Sequence, residues 1–477
     1  MADAPTYTNL VDGKRVPPGN GETYEKSNPW TSELVGRFPL SDATDVEAAV
    51  TAAARAFEAW SRTPFQARAA VLQAAAALID ERVETIAADM TREMGKPIRE
   101  SRGEVGRAAA ILRFFAGEAL RPEGELFQQA GGGRVFTTRR PLGVVGLITP
   151  WNFPAAIPIW KMAPALAYGN TVVLKAAREA PLTALHLGEC LVDAGLPDGV
   201  LNVILGPGSS AGAALIADER VAAISFTGSI ATGTAVRNAA TIAGKRVQCE
   251  LGGQNPLIVM ADADLARAAE AAYAGAFWSA GQKCTATRRI YVQSPTYDEF
   301  RRLLLERIDR GVVGDPADPA TEVGPLVSEG QYQGVIEAIE QGKREGGTVI
   351  TSSELGPGFL VPPTVFEGVD DSAMLSCEEV FGPVTSLYAF ETLDEALTRA
   401  NAVPMGLSAS IFTSDIAAAD RFSRELNAGI LHVNSQTAGA EVHVPFGGIK
   451  GSGWGPHEQG RTALEFYTDV VTVYHDA

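Results

Sequence analysis

Four short apolar runs, separated by helical segments, constrain the fold of this chain more than any other feature. The runs cover residues 144–148, 171–174, 201–204 and 223–226. A helical segment such as 182–194, closed by Gly195, lies between successive runs. Buried strands that alternate with helices predict an α/β fold with a parallel, doubly wound sheet.

Elements on either side of these runs extend the prediction. Apolar residues recur at helical spacing over 41–62, 66–94 and 100–119. A second α/β segment begins near residue 251, with strands at 256–259 and 289–292 and a helix at 265–280 that Gly281 ends. The segments 134–139 and 466–474 are predicted to be extended edge strands outside both units.

Charge and cysteine content narrow the range of partners. The chain has 477 residues and a formal net charge of −17, which disfavours binding to nucleic acid or to anionic membranes. Its four cysteines show no CxxC spacing, and no cluster with histidine predicts a metal site. The N-terminus lacks the basic start and apolar run of a signal peptide. We therefore expect free thiols and a cytoplasmic protein.

One uncharged stretch, 141–160, is long enough to span a bilayer. Pro150, Pro154 and Pro158 interrupt it, and proline removes helical hydrogen bonds. The stretch is therefore predicted to be a buried strand followed by a shaped loop.

Cys284 is a candidate nucleophile. It follows a predicted helix and comes directly after Lys283, and a nearby cation lowers the pKa of a thiol. A buried, inert thiol is the alternative.

Two further residues have the chemistry to assist a thiol. Glu250 precedes two glycines and is a candidate general base, the alternative being a solvated turn residue. Asn152 lies between Pro150 and Pro154 and is a candidate donor to an oxyanion, the alternative being a loop amide that bonds to local backbone.

Three places are candidates for binding a dinucleotide. The run FTGS at 226–229 joins a predicted strand to a helix, where backbone N–H groups bind phosphate, although a plain tight turn is the alternative. Lys175 ends a predicted strand, at the edge where open α/β sheets bind ligands, or is simply exposed. Glu379 and Phe381 lie in an aromatic turn that is otherwise surface.

Taken together, these motifs resemble the aldehyde dehydrogenase superfamily over essentially the whole chain. The matching runs are PWNFP (150–154), FTGS (226–229), ELGG (250–253), GQKC (281–284), EVFGP (379–383) and PFGGIKGSG (445–453). They occur in the order and approximate spacing of the family, which makes the alternatives above improbable for the set. The resemblance implies a Rossmann-type cofactor domain, an α/β catalytic domain and a small β oligomerisation arm.

The resemblance also implies roles for individual residues. Cys284 would attack the aldehyde, Asn152 and the Cys284 N–H would hold the oxyanion, and Glu250 would activate water to hydrolyse the thioester. Relatives that transfer the acyl group to coenzyme A lack this glutamate, so a free acid is the expected product, and a catalytically inactive relative is disfavoured. The implied cofactor-binding residues are Thr149, Pro150, Trp151, Lys175, Arg178, Gly208, Phe226, Thr227, Gly228, Ser229, Leu251, Gly252, Glu379 and Phe381.

Arg178 departs from the family pattern and bears on the cofactor. The family often has a glutamate here that binds the adenosine ribose hydroxyls. An arginine pairs with a 2′-phosphate that a carboxylate repels, so we expect NADP to be usable and favoured over NAD. The alternative is that Arg178 points to solvent and NAD still binds.

The substrate is predicted from short stretches alone. The run IPIWK at 157–161 and the run QKCTAT at 282–287 resemble bacterial 2,5-dioxopentanoate (α-ketoglutaric semialdehyde) dehydrogenases. A broad-specificity or aromatic aldehyde dehydrogenase, of the salicylaldehyde or vanillin type, is the alternative. Five residues are tentative substrate contacts: Phe153, Trp160, Gln282, Phe446 and Arg288, the last facing a substrate carboxylate or serving a structural purpose.

The domain organisation follows from the resemblance. We expect the dinucleotide-binding domain at 1–120 and 142–250, the catalytic domain at 251–450, and an arm at 121–141 and 460–477. The arm would pair with another subunit and bury open sheet edges, giving a homodimer or a homotetramer.

Overall fold

The computed structural model describes residues 4–121, 124–351 and 354–476. The residues outside this description fall within predicted ranges. Residues 1–3 belong to the N-terminal segment of the predicted cofactor domain. Residues 122–123 and 477 belong to the predicted arm, and residues 352–353 belong to the predicted catalytic domain.

The strands are, in chain order, β1 (Asn9–Val11), β2 (Lys14–Val16), β3 (Thr23–Ser27), β4 (Leu34–Pro39), β5 (Leu126–Gln128), β6 (Arg134–Pro141), β7 (Val144–Ile148), β8 (Thr171–Lys175), β9 (Leu201–Ile204), β10 (Val221–Thr227), β11 (Arg246–Glu250), β12 (Asn255–Val259), β13 (Thr287–Gln293), β14 (Thr348–Val349), β15 (Thr364–Glu367), β16 (Val384–Phe390), β17 (Met405–Gly406), β18 (Ser408–Phe412), β19 (Ile430–Val433), β20 (Ile449–Lys450), β21 (Gly453–Trp454) and β22 (Thr468–His475).

The α-helices are α1 (Ala43–Ser61), α2 (Phe65–Glu81), α3 (Val83–Met94), α4 (Ile98–Glu118), α5 (Ala156–Ala167), α6 (Pro181–Asp193), α7 (Ala213–Ala217), α8 (Ile230–Ile242), α9 (Leu265–Phe277), α10 (Tyr297–Asp309), α11 (Glu329–Arg344), α12 (Met374–Cys377), α13 (Leu393–Asn401), α14 (Ile416–Glu425) and α15 (Ala463–Tyr467). Single turns of 3₁₀ helix cover Trp278–Gly281, Ser294–Thr296 and Gly460–Thr462, and a π turn covers Gly208–Gly212.

The first large sheet has eight strands in the order β2-β1-β9-β8-β7-β10-β11-β21. Its five central strands, β9 to β11, are parallel, whereas β1, β2 and β21 add antiparallel edges. The prediction of a doubly wound parallel sheet is confirmed for the central strands. The four apolar runs are buried because helices cover both faces of this sheet.

The second large sheet has seven strands in the order β14-β15-β16-β13-β12-β18-β19. All its pairs are parallel except β14 with β15. The predicted strands at 256–259 and 289–292 lie side by side at its centre as β12 and β13. Each large sheet therefore has its own core, as the α/β prediction requires.

A three-stranded antiparallel sheet, β22-β6-β5, joins the segment before β7 to the C-terminal segment. Both extended pieces were predicted, but the prediction of an extended chain from residue 466 was wrong at its start. Phe466 and Tyr467 end helix α15, and both side chains are buried against the first core. Packing of these aromatic rings holds the chain in a helical turn before the strand begins.

The predicted helix at 66–94 was also wrong as a single element. It is two helices, α2 and α3, that meet at Arg82, whose backbone leaves the helical region with φ −97° and ψ 10°. Arg82 pairs with Asp193 at 2.7 Å and contacts the Cys190 thiol, both on α6. Contacts with a distant helix thus accompany the break, and no local glycine or proline marks it.

The uncharged stretch at 141–160 contains strand β7 and the start of helix α5. The predicted loop ends at Ala155, so the expectation that prolines keep the rest non-helical was wrong for Pro158. This residue lies in the first turn of α5, where a backbone N–H has no helical partner to lose. Within the described residues, no helix is long and apolar enough to cross a membrane.

Candidate active site

The carboxyl ends of four parallel strands meet at one edge of the eight-stranded sheet. Lys175 ends β8 beside Ile148 of β7, and Thr227 ends β10 beside Glu250 of β11. Open α/β sheets bind ligands outside this edge, because the loops that follow the strands diverge there.

A cavity of about 610 Å³ opens at this edge and extends toward the second large sheet. We call it the central cavity. Its walls come from the loops after β7, β10 and β11, from the Cys284 loop, from helix α11 and from the segment around Glu379. The lining residues are Pro150, Trp151, Asn152, Ile157, Thr227, Gly228, Ser229, Leu251, Gly252, Cys284, Gln331, Gly334, Val335, Glu337, Ala338, Gln341, Met374, Glu378, Glu379, Val380 and Phe381.

The loop that carries Cys284 has an unusual backbone. Helix α9 ends at Phe277, so the prediction of a helix to residue 280 was wrong in its last turn. Ser279 and Ala280 have positive φ values of 59° and 53°, a region that such residues seldom adopt. Glu100 holds this turn, since its carboxylate accepts hydrogen bonds from the Ser279 N–H at 2.8 Å and hydroxyl at 2.6 Å.

Asn152 lies beside the Cys284 loop. Its side-chain amide donates to the Gln282 carbonyl at 3.1 Å, and it lines the same cavity as Cys284. Buried Lys96 donates to the Asn152 carbonyl at 2.7 Å and pairs with Glu104, which accepts the first N–H groups of helix α5. The backbone around this amide is therefore fixed by an ion pair that a search for local motifs missed.

Glu250 is buried behind the cavity wall rather than on it. Its Oε2 accepts a hydrogen bond from the Gly448 N–H at 3.3 Å, and a side chain on Gly447 would press against Oε1. Burial, followed by the nearby charge of Glu458, raises the pKa of Glu250 well above its usual value. The carboxyl group is therefore a stronger base than an exposed glutamate.

A buried polar network lies behind Glu250. Lys161 forms an ion pair with Glu458 and donates to the Ser225 hydroxyl at 2.8 Å. That hydroxyl lies 3.0 Å from Glu458 and 3.2 Å from the Gln248 side-chain oxygen. Sequence reasoning missed this network, because its members come from four separate segments. A lysine inside an apolar helix was its one visible signal.

Burial dominates the electrostatics of Cys284. It raises the pKa of the thiol to about 12, and the carboxylates of Glu379 and Glu250 act in the same direction. The expectation that Lys283 activates the thiol was wrong. The Lys283 ammonium turns away to the Ala274 carbonyl at 2.9 Å, and burial lowers its own pKa to about 8.

The cavity wall opposite the first sheet is built around Glu379 and Phe381. Glu379 accepts a hydrogen bond from the Gly253 N–H at 3.2 Å, and any side chain on Gly252 would collide with its carboxylate. The Phe381 ring meets the Trp151 ring edge-on, with centroids 5.4 Å apart. Helix α11, which sequence reasoning missed, donates from Gln331 to the Phe381 carbonyl at 2.7 Å.

The cavity fits a dinucleotide. Thr227 at its wall and Thr149 beside it each have a buried hydroxyl without a hydrogen-bond partner among the described residues. Such unsatisfied groups indicate that a ligand supplies the missing partner. Burial lowers the pKa of nearby Lys175 to about 8. A polar ligand with hydroxyl and phosphate groups meets these needs.

Several predicted cofactor residues lie outside the wall of the central cavity. Phe226 is buried inside its strand, and Gly208 lies exposed in the π turn. Arg178 is exposed and stacks on the Tyr24 ring, with its guanidinium carbon 4.6 Å from the ring centroid. The other predicted residues that do not line the wall are Thr149 and Lys175.

Two of the tentative substrate contacts serve other purposes in the structure. Arg288 is buried and donates to the carbonyls of Gly281 at 2.5 Å and Gly382 at 2.6 Å, so it ties the Cys284 loop to the Phe381 turn. Gln282 accepts from the Val327 N–H at 3.0 Å. Their geometry favours a positioning role over contact with a substrate carboxylate.

The remaining three substrate candidates are aromatic side chains. Phe153, Trp160 and Phe446 belong to the same apolar cluster as Cys284, and the last two rings have centroids 5.3 Å apart. Ala440 and Val442 also pack against this cluster. We call these five residues the apolar pocket wall. The thiol thus lies between the central cavity and an aromatic environment.

A thiol in a cavity at the carboxyl ends of a doubly wound sheet is typical of one class of protein, the dinucleotide-dependent oxidoreductases that act on a carbonyl group. Comparison with known proteins agrees with this class. The model of the aldehyde dehydrogenase family matches residues 16–473, and the chain belongs to that family. It is an oxidoreductase that uses NAD or NADP to convert an aldehyde to a carboxylic acid.

Three similar proteins illustrate the range of relatives. The alpha-ketoglutaric semialdehyde dehydrogenase of Bacillus subtilis strain 168 is 44% identical over 98% of both chains. A betaine aldehyde dehydrogenase of Cereibacter sphaeroides is 43% identical over 99% of this chain and 98% of its own. The crystal structure of an NAD-dependent aldehyde dehydrogenase from Sinorhizobium meliloti superimposes with a TM-score of 0.96, at 37% identity, over 99% of this chain and 95% of that one.

Proposed function

We propose that this protein oxidises its aldehyde through a thioester on Cys284, with Asn152 and Glu250 as the assisting groups. The observation that carries the proposal is the shared cavity: Cys284 and Asn152 line it together, and Glu250 is close enough to raise the pKa of the thiol. Three residue types with complementary chemistry have no common packing reason to meet at one cavity.

The first step forms a carbon–sulfur bond. The Cys284 thiol loses its proton to solvent, and the thiolate attacks the carbonyl carbon. The carbonyl electron pair moves to oxygen, where the Asn152 side-chain N–H and the Cys284 backbone N–H donate to it. A nicotinamide cofactor held at the sheet edge would supply the two-electron oxidation, which would leave the acyl group on Cys284 as a thioester.

The second step releases the acid. Glu250 takes a proton from water, the resulting hydroxide attacks the thioester carbon, and the carbon–sulfur bond breaks to restore the thiolate. The network of Lys161, Ser225 and Glu458 lies directly behind Glu250 and offers a buried route for that proton. Aldehyde, oxidised cofactor and water give carboxylic acid, reduced cofactor and one proton.

The cofactor would be held by the loops at the sheet edge. Thr227, Gly228 and Ser229 lead from strand β10 to helix α8, where the Ser229 side chain accepts from the Thr232 N–H and the first N–H groups of the helix would meet phosphate. Lys175 and Glu379 would bind ribose hydroxyls, and Phe381 would flank the nicotinamide. Gly252 leaves room for the Glu379 carboxylate, which would collide with a Cβ atom at this position.

We propose that NADP is usable and favoured. Arg178 is exposed at the end of the β8 segment and stacks on Tyr24 without a carboxylate partner within 4.0 Å among the described residues. A free guanidinium at this place suits a 2′-phosphate.

For the substrate, we propose a semialdehyde that carries a carboxylate, such as 2,5-dioxopentanoate, which would yield 2-oxoglutarate. The relative from Bacillus subtilis is named for the same compound. The alternative is a broad-specificity or aromatic aldehyde, which the rings of Phe153, Trp160 and Phe446 favour.

We also propose a cytoplasmic homodimer or homotetramer, with a dinucleotide-binding domain at 1–120 and 142–250, a catalytic domain at 251–450 and an arm at 121–141 and 460–477. The four cysteines are free, which suits a reducing compartment. Strands β5 and β22 leave the two edges of the small sheet open, and Leu126 and Tyr474 on them are exposed by 74% and 68%. A second subunit would cover these edges.

The experiment that tests the proposal compares Cys284→Ser with Cys377→Ser, a change at a half-buried thiol outside the cavity wall. Formation of reduced cofactor should fall by about 10⁴-fold or more in the first variant, because a hydroxyl is a poor nucleophile at neutral pH, and stay unchanged in the second. Undiminished turnover by Cys284→Ser would overturn the proposal.

A further inference from the structure

Arg107 on helix α4 is a half-buried arginine whose side chain has no hydrogen-bond partner among the described residues. Its Nε and Nη2 atoms are buried and have no hydrogen-bond partner among the described residues. No carboxylate of those residues lies within 4.0 Å of it either. Buried donors of a guanidinium group are usually paired, because an unsatisfied donor costs free energy. A bound ligand would supply the acceptor that these two donors lack.

The position of Arg107 follows from its helical neighbours. Glu104, one turn earlier on α4, accepts the N–H groups of Ala155 and Ala156 at 2.8 and 3.0 Å. Residues three apart on a helix share a face, so Arg107 lies on the side of α4 that meets α5. Trp160 lies one turn further along α5, and its buried indole N–H also lacks a partner among the described residues.

The segment that contains Glu441 also lies near Arg107. Burial lowers the pKa of Arg107, and the carboxylates of Glu441 and Glu104 raise it. Glu441 is an exposed residue between Ala440 and Val442 of the apolar pocket wall. The same segment is fixed to the nucleophile loop, since Thr437 donates to the Thr285 carbonyl at 2.7 Å. Arg107 therefore lies near helix α5 and near the segment that Thr437 ties to the Cys284 loop.

The segment opposite Arg107 is built from small residues. Ala438, Gly439 and Ala440 follow one another, and a Cβ atom added at Gly439 would meet no heavy atom within 4 Å. Gly106, next to Arg107 on α4, likewise has open space beside it. No side chain therefore crowds the space beside either glycine.

Charge then selects the substrate. Burial lowers the pKa of Arg107, but arginine starts so high that it stays cationic at neutral pH. A planar guanidinium binds a carboxylate with two parallel hydrogen bonds, and it repels a cation such as betaine aldehyde. Sequence identity does not decide between these substrates, because relatives named for each are 44% and 43% identical.

We infer that Arg107, assisted by the Trp160 indole N–H, binds the distal carboxylate of an ω-oxo acid whose aldehyde carbon lies at Cys284. The inference deepens the proposed function by naming the residue that recognises the acid. Arg107 is thus a specificity-determining residue that takes no part in the oxidation itself.

The test uses two matched aldehydes, 5-oxopentanoate and pentanal, which differ only in the distal carboxylate. Arg107→Met should lower kcat/KM for 5-oxopentanoate by about 100-fold, mostly through KM, because a charged hydrogen-bond partner is lost. It should leave pentanal unchanged or improved. Arg107→Lys should recover part of the loss, since the charge remains without the planar fork.

The chain offers a matched control on the same helix. Arg113 is exposed and paired with Asp80, so Arg113→Met should change neither substrate. Because Arg107 makes no hydrogen bond to any residue that the structure describes, Arg107→Met should also keep the Tm of the wild type or raise it.

Three results would overturn the inference. One is a wild-type enzyme that shows no preference for 5-oxopentanoate over pentanal. Another is an Arg107→Met variant that loses both activities equally, or neither. These outcomes leave the proposed thioester chemistry standing. If the wild type oxidised no aldehyde at all, pentanal included, the proposed function and the inference would both be overturned.

Discussion

On one side of Cys284 the wall is made of short loops that leave the ends of parallel strands, and on the other it is made of helix faces and one distant segment. The loops of the central cavity approach one another so closely that particular residue types are required, as at Gly252 beside Glu379. The apolar pocket wall draws on Phe153, on Trp160 of helix α5 and on three residues within 440–446. The first side defines the class of reaction, and the second defines which aldehyde is used.

Asn152 belongs to the chemistry that both sides share, so its loss should lower the rate with every aldehyde. Asn152→Asp keeps the size of the side chain but removes its N–H donor, and kcat should fall by about 10²- to 10³-fold. Because the oxyanion forms with every aldehyde, 5-oxopentanoate and pentanal should lose the same factor. A loss confined to one aldehyde would instead assign Asn152 to substrate recognition and blur the distinction between the two sides. Thermal unfolding controls for damage to the hydrogen bond with Gln282.

The pH dependence of alkylation tests the burial of Cys284 between the two sides. Burial raises the pKa of this thiol to about 12, so its thiolate fraction is small at neutral pH without ligands. Below that pKa, the thiolate fraction increases with pH, and iodoacetamide should label Cys284 about tenfold faster for each unit from pH 7 to 10. Cys284→Ser provides the background from the other cysteines. A plateau below pH 9 would contradict the raised pKa.

Arg178 should give the smallest effect, limited to the cofactor side. Arg178→Ala should lower the ratio of kcat/KM for NADP to that for NAD by about fivefold, because an exposed charge pair is weak. Aldehyde preference should not change. A strong preference for NAD in the wild type that survives the substitution would contradict the proposal.

The sequence was sufficient for the parts of the site that local motifs specify. Buried apolar runs predicted the central parallel strands, and the runs around Asn152, Thr227 and Cys284 predicted residues that the fold brings to one cavity. The roles of these residues stay predictions, but their proximity is now a structural fact. Local motifs succeed here because the backbone itself forms the wall.

What the sequence did not reveal depends on contacts between distant segments. The partner of Lys161 is Glu458, almost three hundred residues later, and no periodicity connects them. The left-handed turn at Ser279 is held by Glu100, again from a separate helix. Arg107 resembles any other helical arginine in sequence, and only the absence of a partner among the described residues distinguishes it. The role of Arg107 could therefore be inferred only from the three-dimensional structure.

The measurement that tests the central claim most directly is the intact mass of a Glu250→Gln variant mixed with aldehyde and NADP. Glutamine keeps the size of the side chain but cannot take a proton from water, so hydrolysis should slow by about 10²- to 10⁴-fold while the thioester still forms. We expect one acyl group per chain, on the peptide that contains Cys284, together with one equivalent of reduced cofactor. Steady turnover with no acylated protein, or acylation at another residue, would contradict the account.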